Sequence, residues 1–458
     1  MTILHAISRT HESAFLQKKL LVTAALLLCS CGGGSSQPVS KPENINLADT
    51  SYERLPTFRA SEMLPAQLLS GERHKIVEQV DNDGYENRYT IESDYGIFTA
   101  HRTDFVSERV QEVYAIEELN KVTRSEAFAQ GVAQAASSPF RALKGLATEP
   151  VNTVTGVFKG FGALFSQAGE LVTGSRGELE ESAAKELVGF GEVKRQIAEL
   201  LSVDPYTTNV KLREGMNEVA WAGFAGGLSL APLTGQVGGA AGTTLSAVQN
   251  SRALNSLLTS QSPEALRDMN RERMELMGVA AEVTETYLQH PWFSPRHETT
   301  VVVAMGGLDG AVNRDAFFEQ AVISESEQQS VFLMRQAEAA LGFHQNVTRV
   351  DRLERTNRQV LFYTYDGRAI SIMPADHLTW GLGASIIADQ ETARGISREL
   401  WVTGSVSDRA QSEFFDRGWR VRPNMRDRLN PDLDAVYGKQ EYESPEQKER
   451  ADANLARY

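Results

Sequence analysis

The sequence predicts a predominantly helical α+β fold: a small N-terminal β-meander, a glycine-rich helical middle, a helical bundle and a small C-terminal α/β unit. Three observations carry that expectation. Apolar residues alternate between turn signals over 72–100, they recur at three- and four-residue spacings over 103–136 and 262–346, and an Asp-Gly turn at 366–367 opens a run of alternating strand and helix patterns. With 458 residues, 41% hydrophobic and 23% charged, the chain is long enough for several packed layers and is neither fibrous nor wholly disordered in composition. A net charge of −14 argues against a general nucleic-acid binder, and two cysteines are too few for a zinc finger or a disulfide scaffold.

The first thirty residues form an address. Arg9, Lys18 and Lys19 precede an uncharged run from Leu20 to Leu28 that is apolar except for Thr23. Nine residues reach only about 14 Å as a helix, whereas a bilayer core is about 30 Å thick, so the run suits a signal-peptide core and not a membrane span. Leu28, Cys29, Ser30, Cys31 and then Gly32, Gly33 and Gly34 follow.

This segment resembles the lipobox of bacterial lipoprotein precursors, in which a branched residue at −3 and a small one at −1 precede the lipidated cysteine. Leu28, Ser30 and Cys31 match those positions, and Cys29 at −2 is a less usual occupant. The resemblance implies that residues 1–30 are removed, that Cys31 is the mature N-terminus, and that its acyl chains anchor the protein without a spanning helix. Gly32, where retention at the inner membrane would call for aspartate, implies the outer membrane. The mature chain would carry a net charge of −16. Residues 31–70 are expected to combine the lipidated cysteine with a Gly/Ser/Pro-rich flexible tether.

In 71–139 the meander comes first: Ile76, Val77 and Val80 lead into the turn Asp81 to Gly84, Tyr85 to Glu92 alternates, and Ser93 to Gly96 turns into Ile97, Phe98 and Thr99. The acidic turn lacks the distal glutamate of a calcium loop, so a hairpin turn is expected. An amphipathic helix from about Thr103 carries Phe105, Val106, Val110, Val113, Tyr114 and Leu119, and a second spans about Ser125 to Ala136.

The middle, 140–255, holds 17 of the 36 glycines. Val154 to Val172 shows an apolar stripe, with Lys159 the only charge between Val151 and Gly169, and Val219 to Val248 has no charge. Two readings stand: close helix packing over small residues, or membrane contact by an interfacial helix at 154–172 and an insertable hairpin at 219–248. Between the helices, the turn-dense loop Asp204 to Asn209 reads as structural punctuation, with recognition as the alternative.

Across 256–350, Ser262-Pro263 and Ser294-Pro295 are cap-plus-proline helix starts. Helices are expected over Pro263–Gln289, Arg296–Leu308, Arg314–Val322 and Glu325–Phe343. In 351–423, strands at Gln359–Tyr365 and Arg368–Met373 flank the Asp366-Gly367 turn. A helix over Asp376–Thr392, a strand at Glu399–Thr403, a helix capped by Ser407 and a strand at Trp419–Val421 follow, the last β-α-β placing two strands parallel. Residues 424–458 read as a polar tail.

Signatures of chemistry are sparse. Gly-x-Ser-x-Gly, Gly-x-x-x-x-Gly-Lys-Ser/Thr and His-Glu-x-x-His do not occur. His290 and His297, with Glu298, could approach one ion across a tight turn, but helix-terminus roles are favoured and no metal is assigned. Asp376 and His377 follow a strand and are the best place for a general acid or base; Ser405 and Ser407 follow another, where α/β folds place ligands. No orienting partner for a nucleophile is evident, so no catalytic residue and no cofactor is assigned. The expected function is therefore binding or scaffolding by a lipid-anchored protein at the periplasmic face of the outer membrane, with an envelope protein as partner. An envelope hydrolase or transferase with its site in the C-terminal α/β unit is the alternative.

Overall fold

The computed structural model describes residues 51–137, 188–226 and 252–432, apart from 357, 358, 391, 393 and 394. Residues 1–51 and 52–458 are separate units, and all the described strands and helices belong to the second. The lipobox, the stripe at 154–172 and positions 227–248 lie outside the described residues.

The chain enters the fold earlier than a tether reaching 70 allows. Strand β1 (Thr57–Arg59) and two single-turn helices, α1 (Ala60–Met63) and α2 (Ala66–Leu69), precede β2 (His74–Ile76), β3 (Gln79–Asn82), β4 (Asn87–Ser93) and β5 (Gly96–His101). Ala60, Leu64 and Leu68 are buried in the same core as the sheet, which is why this stretch is ordered. All pairs are antiparallel: β5 runs along one edge of β4, β2 and β3 share its other edge, and β1 lies outside β3. The acidic turn is indeed a hairpin connection. Asp83 Oδ1 accepts from the backbone N–H groups of Tyr85 and Glu86, and Asn82 Oδ1 accepts from that of Gly84. Alternation puts Val80, Tyr89, Ile91 and Ala100 on one face, against Val106, Val110 and Val113 of α3 (Val106–Thr123).

The far half of α3 belongs to a helical core with α4 (Glu126–Ser137), α5 (Val188–Leu201) and α6 (Val210–Gly226). Leu119, Phe128, Ile197, Leu201 and Met216 meet there. Val219, Ala220 and Ala222 are fully buried in it, so the start of the segment expected as an insertable hairpin is occupied by helix–helix packing.

Six further helices follow: α7 (Arg252–Ser260), α8 (Pro263–Leu276), α9 (Ala281–Leu288), α10 (Pro295–Gly306), α11 (Asp315–Ala321) and α12 (Glu327–Asn346). Ser262 Oγ accepts from Ala265 N, and Ser294 Oγ from His297 N, so both cap-plus-proline signals mark true starts. The single helix expected over 263–289 is two, because Gly278 has φ +78°, a conformation that ends α8.

A five-stranded sheet completes the fold, with β6 (Val350–Arg355), β7 (Val360–Thr364), β8 (Arg368–Met373), β10 (Ser397–Val402) and β12 (Trp419–Arg422) in the order β12-β10-β8-β7-β6. The first pairs, β6 with β7 and β7 with β8, are antiparallel; β8, β10 and β12 are mutually parallel, as the β-α-β pattern requires. Beside it, β9 (His377–Leu378) and β11 (Ser405–Val406) form a short parallel pair. In place of one helix over 376–392 there are β9 and then α13 (Leu382–Ala388). Helix α14 (Asp408–Asp416) is capped by Ser407, and α15 (Arg426–Leu429) buries Leu429, so the stretch expected as a tail begins folded.

Phe317, Phe318 and Phe343 of the helical layer pack with Phe362, Ile370, Ile372 and Trp401 on one face of this sheet, while Ala384, Ala410 and Phe414 cover Leu361, Leu400 and Val402 on the other. The bundle and the α/β unit thus share a core, and the boundary set at 350/351 is not a packing boundary. Helices on both faces of the parallel part leave its carboxyl edge as the natural crevice.

Candidate functional site

At that edge, β8 runs into Pro374-Ala375-Asp376-His377 and β10 into Thr403-Gly404-Ser405. The two connections are laced together. Thr403 Oγ1 donates to Ala375 O at 2.7 Å, Ser405 N to Asp376 O at 3.1 Å, and Ser407 N to Leu378 O at 2.9 Å. A Cβ on Gly404 would collide with the Asp376 carbonyl oxygen, so the close approach needs glycine there. In this register His377 and Ser405 stand directly opposite each other, with His377 Nδ1 2.6 Å from Ser405 Oγ. Both side chains are half-buried and reach solvent.

A carboxylate arrives from 324 positions earlier in the chain. Glu53 N donates to Trp380 O at 2.9 Å, and Glu53 Oε2 accepts from Trp380 N and Ser407 Oγ, each at 2.5 Å. Ser407 Oγ also accepts from Ala410 N as the cap of α14, so Ser407 is committed to structure. The Phe58 ring meets His377 edge-on, with centroids 5.1 Å apart. Burial lowers the pKa of His377 while the Glu53 charge opposes that shift; the net direction is downward, leaving the imidazole neutral at pH 7. If Nδ1 accepts the serine proton, Nε2 carries the ring hydrogen.

Asp376, expected beside His377 as a candidate acid or base, serves instead as a bolt. Its Oδ2 accepts from the backbone N–H groups of Asn87 and Thr103, both at 3.1 Å, and Oδ1 pairs with Arg426 at 3.4 Å. In return, Asp376 N and His377 N both donate to Tyr85 O. The N-terminal sheet thereby sets the position of the histidine-bearing loop.

A second bolt lies alongside. Arg102 is only 2% exposed and has φ +77°, a conformation costly for a residue with a Cβ. Its guanidinium reaches Pro374 O, Asp104 at 3.0 Å and Glu86 at 3.4 Å. Asp104 also pairs with Arg335 of α12 at 3.1 Å, and Arg335 with Glu338 at 2.8 Å. Burial alone would push the Asp104 carboxyl upward, but Arg102, Arg335 and Arg426 together hold it far below the usual carboxylate range.

The loop 204–209 is tied into the protein. Glu112 accepts from Thr207 Oγ1 and from Asn209 Nδ2, and pairs with Arg109 at 2.6 Å; Asp204 pairs with Arg296 at 2.7 Å. Structural punctuation is what these contacts make of it. Near them, burial together with the charges of Glu112 and Asp204 raises Glu108 to about 7, against the pull of Arg296 and Arg109. His290 follows the end of α9 and His297 lies in the first turn of α10. His290 Nδ1 accepts from Trp292 N and His297 Nδ1 from Ser294 N, both at 3.4 Å, the latter closing a capping box. Burial brings His297 down to about 4. Among the described residues no group of three or more His, Cys, Asp or Glu side chains is placed to hold a metal ion.

Ser405 and His377 were thus both visible in the sequence as members of post-strand loops, and the structure joins them. Glu53, Phe58, Arg102 and Arg426 were not, since nothing near them in sequence marks a partner some 50 to 330 positions away. Comparison with protein-family models, with curated proteins and with solved structures returns no match for this chain.

Proposed function

We propose that this chain is a lipid-anchored protein of the cell envelope, held through Cys31 at the periplasmic face of the outer membrane, that binds an envelope partner at the carboxyl-edge crevice. The observation supporting this is the Glu53 staple. The crevice is fastened to a residue only 22 positions after Cys31. Twenty-two residues of chain can reach no farther than about 75 Å, which limits how far from the lipid this edge of the fold could lie. Leu55 and Leu382, each two residues along the chain from the Glu53–Trp380 contact, are 59% and 62% exposed, and exposed apolar side chains suit capture of a partner's apolar group. The net charge of the mature chain, −16, disfavours nucleic acid as that partner.

Replacing Cys31 with Ser should move the protein from the membrane fraction to the soluble one; unchanged, detergent-dependent fractionation would sink the anchoring. For the crevice, a Leu55→Asp/Leu382→Asp variant should lose a cross-linked envelope partner that the wild-type protein retains. Equal cross-linking by both would place the binding surface elsewhere. Among the described residues no helix is long and apolar enough to cross a membrane; a direct bilayer contact is proposed for 154–172 and for the part of 219–248 beyond Gly226. Flotation with liposomes of a version starting near Asn46 tests it, and failure to float removes it. The rival reading, an envelope hydrolase or transferase, is favoured by one observation, the 2.6 Å contact between Ser405 and His377.

A further inference from the structure

We infer that Ser405 is an acyl-accepting nucleophile with His377 as its base, and that the substrate class is a carboxylic ester with an apolar acyl chain. The inference rests on the crevice being a binding site and goes beyond binding to chemistry. Ser405 Oγ lies 2.6 Å from His377 Nδ1, inside the reach needed for proton transfer. A hydrogen bond serving only to join β9 to β11 would be stronger away from water, yet both side chains reach solvent. The charge of Glu53, held at Trp380 N and Ser407 Oγ, favours the imidazolium that forms when His377 takes the proton. Two bolts, Asp376 and Arg102, fix the loop that carries the base.

Two features select the substrate. Ser405 N and Ser407 N already donate to Asp376 O and Leu378 O, so neither is free to polarise a carbonyl. Esters, whose alcohol leaves readily, react with less help of that kind than amides do. The apolar ring of Phe58, edge-on to His377, offers a seat for the acyl chain, and Leu55 and Leu382, two positions along the chain from Glu53 and Trp380, add exposed apolar side chains. In the reaction, Ser405 Oγ bonds to the ester carbonyl carbon as its proton passes to His377 Nδ1. The carbon–oxygen bond to the alcohol breaks, and the alcohol leaves with that proton. Water then repeats the sequence on the acyl-serine, releasing the carboxylic acid and restoring both groups.

The test uses the full chain in detergent with an alkyl fluorophosphonate, whose fluoride Ser405 would displace, read by peptide mass spectrometry. One adduct is expected, on Ser405. Ser405→Ala should abolish it, Ser405→Cys serves as a folding control read by circular dichroism, and His377→Ala should slow labelling about a hundredfold. p-Nitrophenyl hexanoate should be cleaved faster than the acetate, and Leu382→Asp should erase that preference. Absence of the Ser405 adduct on folded protein, or labelling that His377→Ala leaves unchanged, would overturn the inference. Membrane retention through Cys31 and cross-linking at the crevice are scored separately, so a protein that anchors and captures but takes no label refutes the chemistry alone.

Discussion

The helical layer over the C-terminal sheet and the junction between the two sheets hold the molecule by opposite chemistry. In the layer, Phe317, Phe318 and Phe343 share one apolar core with Phe362, Ile372 and Trp401. At the junction, Arg102, Asp104, Asp376 and Arg426 do the joining, with backbone N–H groups and carbonyls filling the remaining valences. The contrast has a physical consequence. Apolar packing is non-directional and tolerates small shifts, whereas a carboxylate taking two backbone donors admits one geometry. The region that must present His377 to Ser405 at a fixed distance is the directional one.

That comparison can be broken from either side. On the apolar side, Phe318→Ala should destabilise by about 4 kcal/mol, seen as a lower denaturant midpoint, because it opens a cavity in the layer. At the junction, Asp376→Ala strands two backbone donors and should lower stability by about 3 kcal/mol. It should also spread the near-neutral NMR signals of His377, which Phe318→Ala leaves in place; equal disturbance by both would deny the junction its positioning role.

Acid separates the two further. His297 sits neutral in the layer with a pKa near 4. The unfolded chain takes up the proton as pH drops below 6.5 and the folded one does not until about 4, so stability falls across that window, by up to about 3 kcal/mol. His297→Gln keeps a capping side chain and should remove that slope; an unchanged profile would discard the assignment. Smaller still, Ser294→Ala removes the cap of α10 and should cost about 1 kcal/mol in equilibrium unfolding. Glu108 has the opposite sign to His297. Raised to about 7, its carboxyl weakens the fold as pH climbs from 4.5 to 7, so Glu108→Gln should stabilise at neutral pH by on the order of 1 kcal/mol. A loss of stability in a neutral-pH melt would contradict it.

Much of the fold was legible because local rules govern it. Ser262, Ser294 and Ser407 mark helix starts by bonding three residues ahead, and the Asp366-Gly367 turn pairs neighbours in sequence. Strand β6 was not legible: its pairing with β7 turns on 355–360, where no Asp-Gly or Asn-Gly signal stands, and it departs from regular register between Val350 and Arg352. The helix expected at 376–392 failed for another reason. Apolar residues there suit a helix, but His377 and Leu378 find strand partners in Ser405 and Val406, and tertiary pairing overrides propensity.

By itself, then, the sequence determined the helix caps, the hairpins and the parallel β-α-β unit. Only the tertiary structure decided that Glu53, His377 and Ser405 meet at one sheet edge and that Asp376 bonds the N-terminal sheet. Caps and turns are set by groups within a few bonds along the chain, where closure is nearly free. A site assembled from positions 53, 377 and 405 exists only once the cores have folded and brought those segments together, and no short-range pattern encodes that meeting.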